Sequence, residues 1–566
     1  MKNGKKQKAH PRRAPLYVWR RYAVLFLILL QAAAFFLLLL FGGSAFSFVL
    51  FLLRVLGILL SLRVVSGSAQ TGYKLLWVFL LLALPLFSVV GYPLLTAGES
   101  RRRWARAMQK RRALRRAPQK AGGAYVVKSK EALQKLLPES ATLAAYLFSV
   151  GQGAYGTEKL TYLASGEEAY AALLSLLLRA RRYIYLEYYI IDEGRVWEEV
   201  LAILAKKAGE GVDVRVVMDD AGCMFLRPRQ LLFRLSAMGI RAAVFNPVRP
   251  VITGQFNHRD HRKIAVVDGE YAITGGVNLA DEYINRRSLH GHWRDAALLL
   301  EGEAARGMCE MFLDMWEVCQ KEGIPSLFHG NAKRKKGTRP TTRKKRKKEQ
   351  ILSSTARQSS SKAFAPLPSD AGRPTAQGQG DDALPSLAVP YASHPFEEEH
   401  VCAELVLQLV FAARRYLYLT TPYLIPDDTT LTALSLAAKS GVDVRILVPH
   451  HGDRGFVHAT TRSYYAPLLE AGVRIYEYTP GFVHAKTAVL DDRLGSVGSA
   501  NLDYRSLYLN FECGVFFADR STAVSMREDF LLTLKRSREI RLADTSPRTP
   551  LSRLATHMLR LFAPLM

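Results

Sequence analysis

Asn257-His258-Arg259-Asp260-His261-Arg262-Lys263-Ile264-Ala265-Val266-Val267-Asp268 is the stretch on which the reading of this chain turns. A second, Gly481-Phe482-Val483-His484-Ala485-Lys486-Thr487-Ala488-Val489-Leu490-Asp491, repeats its frame. Each carries His-x-Lys with an Asp five residues after the Lys: His261, Lys263 and Asp268, then His484, Lys486 and Asp491. The residues between Lys and Asp are apolar and β-favouring, which predicts a buried strand. Side chains two apart on a strand point to the same side, so the His and Lys of each copy meet one pocket. One such pair is more often structural; its recurrence in register points to chemistry.

The correspondence continues downstream. Asn278 stands as far from His261 as Asn501 does from His484. Glycine-rich turns precede both, Thr274-Gly275-Gly276-Val277-Asn278 and Gly498-Ser499-Ala500-Asn501, and would let backbone, amide and Ser499 hydroxyl donors approach a phosphate. Asp295 and Glu512 then offer one carboxylate to each half. Upstream, Ala180-Arg181-Arg182-Tyr183-Ile184-Tyr185-Leu186 recurs as Ala413-Arg414-Arg415-Tyr416-Leu417-Tyr418-Leu419, and Gly211-Val212-Asp213-Val214-Arg215 recurs letter for letter from Gly441 to Arg445. Two homologous α/β halves follow. Strands alternating with helices predict a mainly parallel sheet in each, flanked by helices.

The halves are assigned to residues 156–329 and 387–545 of the 566. Between them, 330–386 is rich in Ser, Pro, Gly and Lys without apolar periodicity and reads as a disordered basic linker, or else as a regulatory arm. Ahead of them lie a basic tail (1–21), a membrane region (22–96) and a basic connector (97–155). Tyr22–Phe41 carries no charge and is apolar but for Gln31, and twenty helical residues span about 30 Å, the thickness of a bilayer's hydrocarbon. It is too long for the apolar core of a cleaved signal peptide. Ala45–Val65, containing Arg54, and Leu75–Leu95, containing Pro85, are further candidates. Basic residues on both sides favour an even number of crossings, so one of the three segments is expected to be re-entrant or interfacial. The tail, 546–566, sets Leu554, Met558, Leu561 and Phe562 at helical spacing among Arg553, His557 and Arg560; it predicts an amphipathic helix lying on a bilayer or packed on the body.

The net charge of +28 would first suggest nucleic acid. Lys2–Arg21, Arg101–Arg116 and Lys333–Lys348 hold eight, nine and eleven basic residues and no acid, which is the whole excess. The remainder balances to zero, unlike a domain with a broad basic face, so no nucleic-acid partner is expected. Basic tracts beside apolar segments serve as topology signals and as contacts for anionic lipid. The five cysteines show neither disulfide nor zinc spacing.

These residues resemble the paired HKD motifs of the phospholipase D superfamily, and within it the bacterial cardiolipin synthases. The supporting words are Leu186-Glu187-Tyr188-Tyr189, His292-Trp293-Arg294-Asp295, Thr421-Pro422-Tyr423-Leu424-Ile425-Pro426-Asp427 and Gly481-Phe482-Val483-His484-Ala485-Lys486, together with Tyr73-Lys74-Leu75-Leu76-Trp77 in the apolar region. The long basic linker and His258 depart from the family's pattern. The resemblance implies a fold of two phospholipase D-like halves behind transmembrane helices. It implies a catalytic set of His261, Lys263, Asp268, His484, Lys486 and Asp491, in which His261 attacks to form a phosphohistidine and His484 is acid and base. Asp268 and Asp491 read more naturally as groups that hold the motif. Lys263 and Lys486, with Asn278, Asn501 and Ser499, would hold phosphate, and Asp295 and Glu512 would fix the histidine tautomers. No metal or other cofactor is called for. The implied partners are phosphatidylglycerol and anionic membrane lipids, with a multi-pass protein of the cell membrane whose catalytic body faces the cytoplasm. Transfer to water or to another alcohol, or a nuclease using the same groups, are the rival readings.

Overall fold

The computed structural model describes residues 44–96, 138–248, 257–321, 386–545 and 549–566, apart from 68, 158, 227 and 398. The expected helix at Tyr22–Phe41, the three basic tracts and nearly all of the linker lie outside them.

Helix α1 (Ser44–Val65) is, among the described residues, the one helix both long and apolar enough to cross a membrane. The expected span from Leu75 to Leu95 is two helices instead, α2 (Thr71–Ala83) and α3 (Pro85–Thr96). Leu84 leaves helical geometry ahead of Pro85, because a residue preceding proline is pushed out of the α region. At 13 and 12 residues each covers only about 20 Å, short of the hydrocarbon thickness. Val64, Trp77, Leu81 and Val89 pack the three together.

Helix α4 (Pro138–Ser149) and strand β1 (Tyr155–Gly156) precede the first half in sequence but join the second in space. The first half continues as β2 (Lys159–Leu163), α5 (Gly166–Arg179), β3 (Tyr183–Tyr188), α6 (Arg195–Gly209), β4 (Asp213–Asp219), α7 (Pro228–Ala237) and β5 (Arg241–Phe245). Then come β6 (Lys263–Val267), β7 (Tyr271–Gly275), β8 (His292–Arg294), β9 (Ala297–Glu301) and α8 (Glu303–Lys321). Its sheet runs β2-β9-β7-β6-β3-β4-β5.

The second half repeats the plan with β10 (Leu387–Ser393), α9 (Val401–Ala412), β11 (Tyr416–Thr420), α10 (Asp428–Lys439), β12 (Asp443–Pro449), α11 (Gly455–Ser463), α12 (Tyr465–Glu470) and β13 (Arg474–Tyr478). It ends with β14 (Gly481–Val483), β15 (Thr487–Leu490), β16 (Leu494–Gly498), α13 (Tyr504–Tyr508), β17 (Glu512–Ala518), α14 (Arg520–Leu534), β18 (Ser537–Ile540) and α15 (Pro550–Phe562). Its sheet runs β1-β10-β17-β16-β15-β11-β12-β13-β18.

The sheets are mixed, not mainly parallel. Only β3-β4-β5 and β11-β12-β13 are parallel; every other pair within the two large sheets is antiparallel. The cause lies in the motifs themselves. Asp268 and Gly269 have φ of 56° and 70°, and Asp491 and Asp492 have 53° and 57°. Such left-handed pairs are the tight turns that match a hairpin's twist, so β6 must return antiparallel as β7, and β15 as β16.

The letter-for-letter repeat is structural. Arg215 is bound by Asp213 and lies 4.9 Å from the Tyr185 ring centre on the neighbouring strand, and Arg445 sits likewise on Asp443 and Tyr418 at 5.1 Å. One face of each sheet is covered by its own helices. The other faces meet in a single core, in which Met308, Phe312 and Met315 of α8 join Ala388, Tyr418 and Phe530 from the second half. Each of the five larger side chains contributes on the order of 2 kcal/mol by leaving water, which fixes the halves face to face.

Candidate active site

The two motifs meet where the halves join. The His261 loop reaches into the second half: its backbone N–H donates to Phe511 O at 2.9 Å, and Phe511 N–H donates to Arg259 O at 2.8 Å. Strand β14 pairs in parallel with β8 of the first half, and His484 N–H donates to Arg294 O at 2.7 Å. The two exchanges correspond across the repeat.

The carboxylates cross in the same way. His261 Nδ1 lies 3.0 Å from the Glu512 carboxylate, and His484 Nδ1 lies 2.7 Å from Asp295 Oδ2. A carboxylate only accepts, so each Nδ1 carries the proton and each Nε2 keeps its lone pair. Both carboxylates are fully buried. Burial would raise them, but His484 and Lys486 hold Asp295 below its ordinary range, and His261 and Lys263 do so for Glu512.

Burial likewise drives the bases toward neutrality. His261 is held down at about 4, with Glu512 opposing and Lys263 assisting; His484 is held at about 3, with Lys486 assisting and Asp295 opposing. Lys263 falls to about 8 and Lys486 to about 7, again chiefly from desolvation. Each lysine also acts on the other motif's histidine, which marks one shared electrostatic site. The Nζ groups of Lys263 and Lys486 donate to the carbonyls of His261 and His484. An anion placed here meets two cations and two unprotonated imidazole nitrogens.

Other expected site residues separate from this centre. Asp268 lies at the far end of β6, roughly 16 Å along the strand from Lys263, and its carboxylate accepts from the N–H groups of Arg181, Arg182 and Tyr183. Asp491 does the same for Arg414, Arg415 and Tyr416. Both pin the start of a neighbouring strand, and neither touches the histidines. Asn278 accepts from Ile190 N–H at 3.1 Å; its buried Nδ2, with the Tyr283 hydroxyl as neighbour, has no partner at hydrogen-bonding distance. Asn501 instead donates Nδ2 to Asp503. Ser499, expected as a phosphate donor, is buried behind the site: its Oγ donates to Glu512 at 2.5 Å and accepts from Cys513 N–H at 3.0 Å. Asn510 Nδ2 holds the other Glu512 oxygen at 3.1 Å.

The register position of Ser499 is Gly276 in the first half. A Cβ there would lie 2.0 Å from Asp295 Oδ1, so the shorter carboxylate reaches His484 only because that residue is glycine. The duplicated dyads are thus built differently.

Sequence reasoning missed the aromatic walls. Tyr189 meets the His261 ring edge-on at 5.0 Å between ring centres, while Tyr283 and Trp293 flank His484 at 5.2 and 5.3 Å. Asp219 was missed as well. Fully buried, it holds the loop ahead of His261 by accepting from Asp260 N–H at 3.1 Å and from Ala221 N–H at 2.8 Å. Tyr189 and Trp293 stand in words already quoted for their resemblance; Asp219 carried no signal beyond an acid at a strand end. His258, the departure from the family pattern, places Nδ1 3.0 Å from Leu509 O and packs on Phe396.

The family described as "Cardiolipin synthase, PLD-like domain" matches residues 173–316 and 406–532, once in each half. A cardiolipin synthase of Alkalihalophilus pseudofirmus is 32% identical over 87% of this chain and 88% of its own length. One from Geobacillus thermodenitrificans is 33% identical over 76% and 77%, and one from Halalkalibacterium halodurans is 29% identical over 97% and 99%. With both halves matched, and with relatives of 32 and 33% identity covered over 88 and 77% of their own length, the chain belongs to the cardiolipin synthase family of phospholipase D-like proteins.

Proposed function

We propose that the protein transfers a phosphatidyl group from one phosphatidylglycerol to a second, making cardiolipin and releasing glycerol. The observation that carries this reading is the pair of buried, neutral imidazoles, each held by a carboxylate of the opposite half and flanked by two lysines. In the first step His261 Nε2 attacks the phosphorus of the donor lipid. A P–N bond forms and the bond to the glycerol oxygen breaks; that oxygen takes a proton from His484 Nε2, which acquires it from solvent as the anionic lipid binds. In the second step a hydroxyl of the acceptor lipid loses its proton to His484 and its oxygen displaces His261. Lys263, Lys486 and Asn278 hold the phosphate oxygens, and no step needs a metal.

A lipid substrate suits a chain with an apolar helix such as α1, and the flanking basic tracts suit anionic lipid and a body on the cytoplasmic face. The test is to incubate detergent-solubilised protein with phosphatidylglycerol alone and follow products by mass spectrometry, with His484→Ala as control. Cardiolipin and glycerol, absent from the control, are expected. Phosphatidic acid without cardiolipin would make water the acceptor and overturn the synthase reading.

A further inference from the structure

The C-terminal helix α15 leaves one face uncovered. Leu551, Leu554 and Met558 are 75, 58 and 40% exposed, and their spacing places them on one side of the helix. Arg553 and His557 are exposed beside them. The helix is not loose. Arg560 donates to Ser463 O and lies 5.0 Å from the Tyr464 ring centre. Ala563 is buried with Ile425, Tyr464 and Tyr504, and Arg505 N–H donates to Met566 O at 2.7 Å. An apolar face held outward by a fixed base is a surface awaiting a partner.

Two observations identify that partner as lipid. The tail abuts the apolar helices: a Cβ on Gly72, at the start of α2, would lie 2.8 Å from the Tyr504 hydroxyl and 3.1 Å from Pro564. Helix α2 itself exposes Leu75, Phe79 and Leu82. From Ser546 to Met566 the sequence contains three arginines and no acid, which suits an anionic surface. Helix α11, packed on α15, adds an exposed Phe456.

We propose that α15 lies in the plane of an anionic bilayer, with Leu551, Leu554 and Met558 at the boundary between headgroups and acyl chains. This rests on the membrane reading given above. It also ties the bilayer to the site: Met566 is bonded to the backbone of Arg505, whose Nη1 donates at 3.1 Å to Asn257 O on the loop that carries His261.

The test uses the full chain reconstituted into phosphatidylglycerol-containing vesicles, with an environment-sensitive fluorophore on a cysteine placed at 551, 554, 557 or 558. The five native cysteines are buried and compete little for the label. Probes at 551, 554 and 558 are expected to shift to the blue and to be quenched several-fold by lipids carrying a doxyl group near the headgroup, and the probe at 557 much less. Water-like emission at 554, or burial there that doxyl lipid does not quench, would overturn the proposal; the second would mean a protein contact. Leu554→Glu with Met558→Glu should retain turnover of a water-soluble phosphodiester and lose several-fold in turnover of vesicle phosphatidylglycerol. If the unmodified protein turns over neither substrate, the functional reading fails while the fluorescence still decides the helix.

Discussion

Asp295 accepts a hydrogen bond from His484 Nδ1 at 2.7 Å across the junction of the halves, although 189 residues separate them in the chain. Glu512 and His261 form the reciprocal pair over 251 residues. Neither half contains a complete dyad, so the duplication works only as a face-to-face pair.

Replacing either carboxylate by its amide keeps the shape and removes the acceptor that fixes the tautomer. Asp295→Asn and Glu512→Gln should each lower kcat by roughly 10³- to 10⁴-fold, the scale of the equivalent change in a serine-protease triad, with little change in KM. Steady-state assays on phosphatidylglycerol vesicles measure this; a loss confined to KM would argue that the carboxylates only shape the pocket.

Gly276→Ala drives a methyl group into Asp295 and should disable the His484 dyad, with activity falling at least 10²-fold in a protein that still folds. Ser499→Ala, at the matching position, removes one donor to Glu512 and should cost only about tenfold. Comparable losses in the two variants would refute the asymmetry.

If His261 forms the covalent bond, His484→Ala mixed with donor lipid should still yield a chain heavier by one phosphatidyl group, while His261→Ala should not. Intact-protein mass spectrometry after a rapid quench in mildly alkaline denaturant, in which a P–N bond survives, distinguishes them; an adduct on the His261→Ala chain would exchange the two roles.

Binding of a phosphodiester should draw protons from solution. At about pH 6 both lysines, with values near 8 and 7, are charged, and both histidines, near 4 and 3, are neutral. The two cations and two carboxylates then cancel, and the arriving negative charge raises the affinity of a ring nitrogen for a proton. Calorimetry with a glycerophosphodiester, in buffers of different ionisation heat, should find net uptake that is reduced in His484→Ala. No uptake would mean that neither ring is charged before the chemistry.

Asp268→Ala leaves three backbone donors without their acceptor and places alanine at a left-handed φ of 56°. A loss of about 3 kcal/mol is expected in denaturant titration, with near-normal kcat in the folded fraction; Asp268→Asn, which tolerates that φ, should lose less. A kcat collapse without destabilisation would return Asp268 to the catalytic centre.

Much of this was legible in the sequence. The halves showed in repeated words, and the histidines, lysines and late carboxylates showed in their common register. The antiparallel returns were legible too: Asp268-Gly269 between two apolar runs is a hairpin signal, outweighed by the alternation of strands with helices. Other features depend on folding at a distance. Ser499 reads as a phosphate donor until β16 and β17 pair and bring Glu512 beside it. The break at Leu84 follows from Pro85, but a hydrophobic count alone passes over it.

The placement of α4 and β1 bears on how the molecule is held together. The chain enters by adding a strand to the second half, Tyr155–Gly156 against Leu387–Ala388, before it builds the first. The halves are therefore stitched at both ends of the first one and glued along a common core, and the stretch 330–386 is not their only tether. A protease that nicks the Lys/Arg-rich part of that stretch should leave two fragments that run apart in denaturing gels yet migrate as one active particle in native ones.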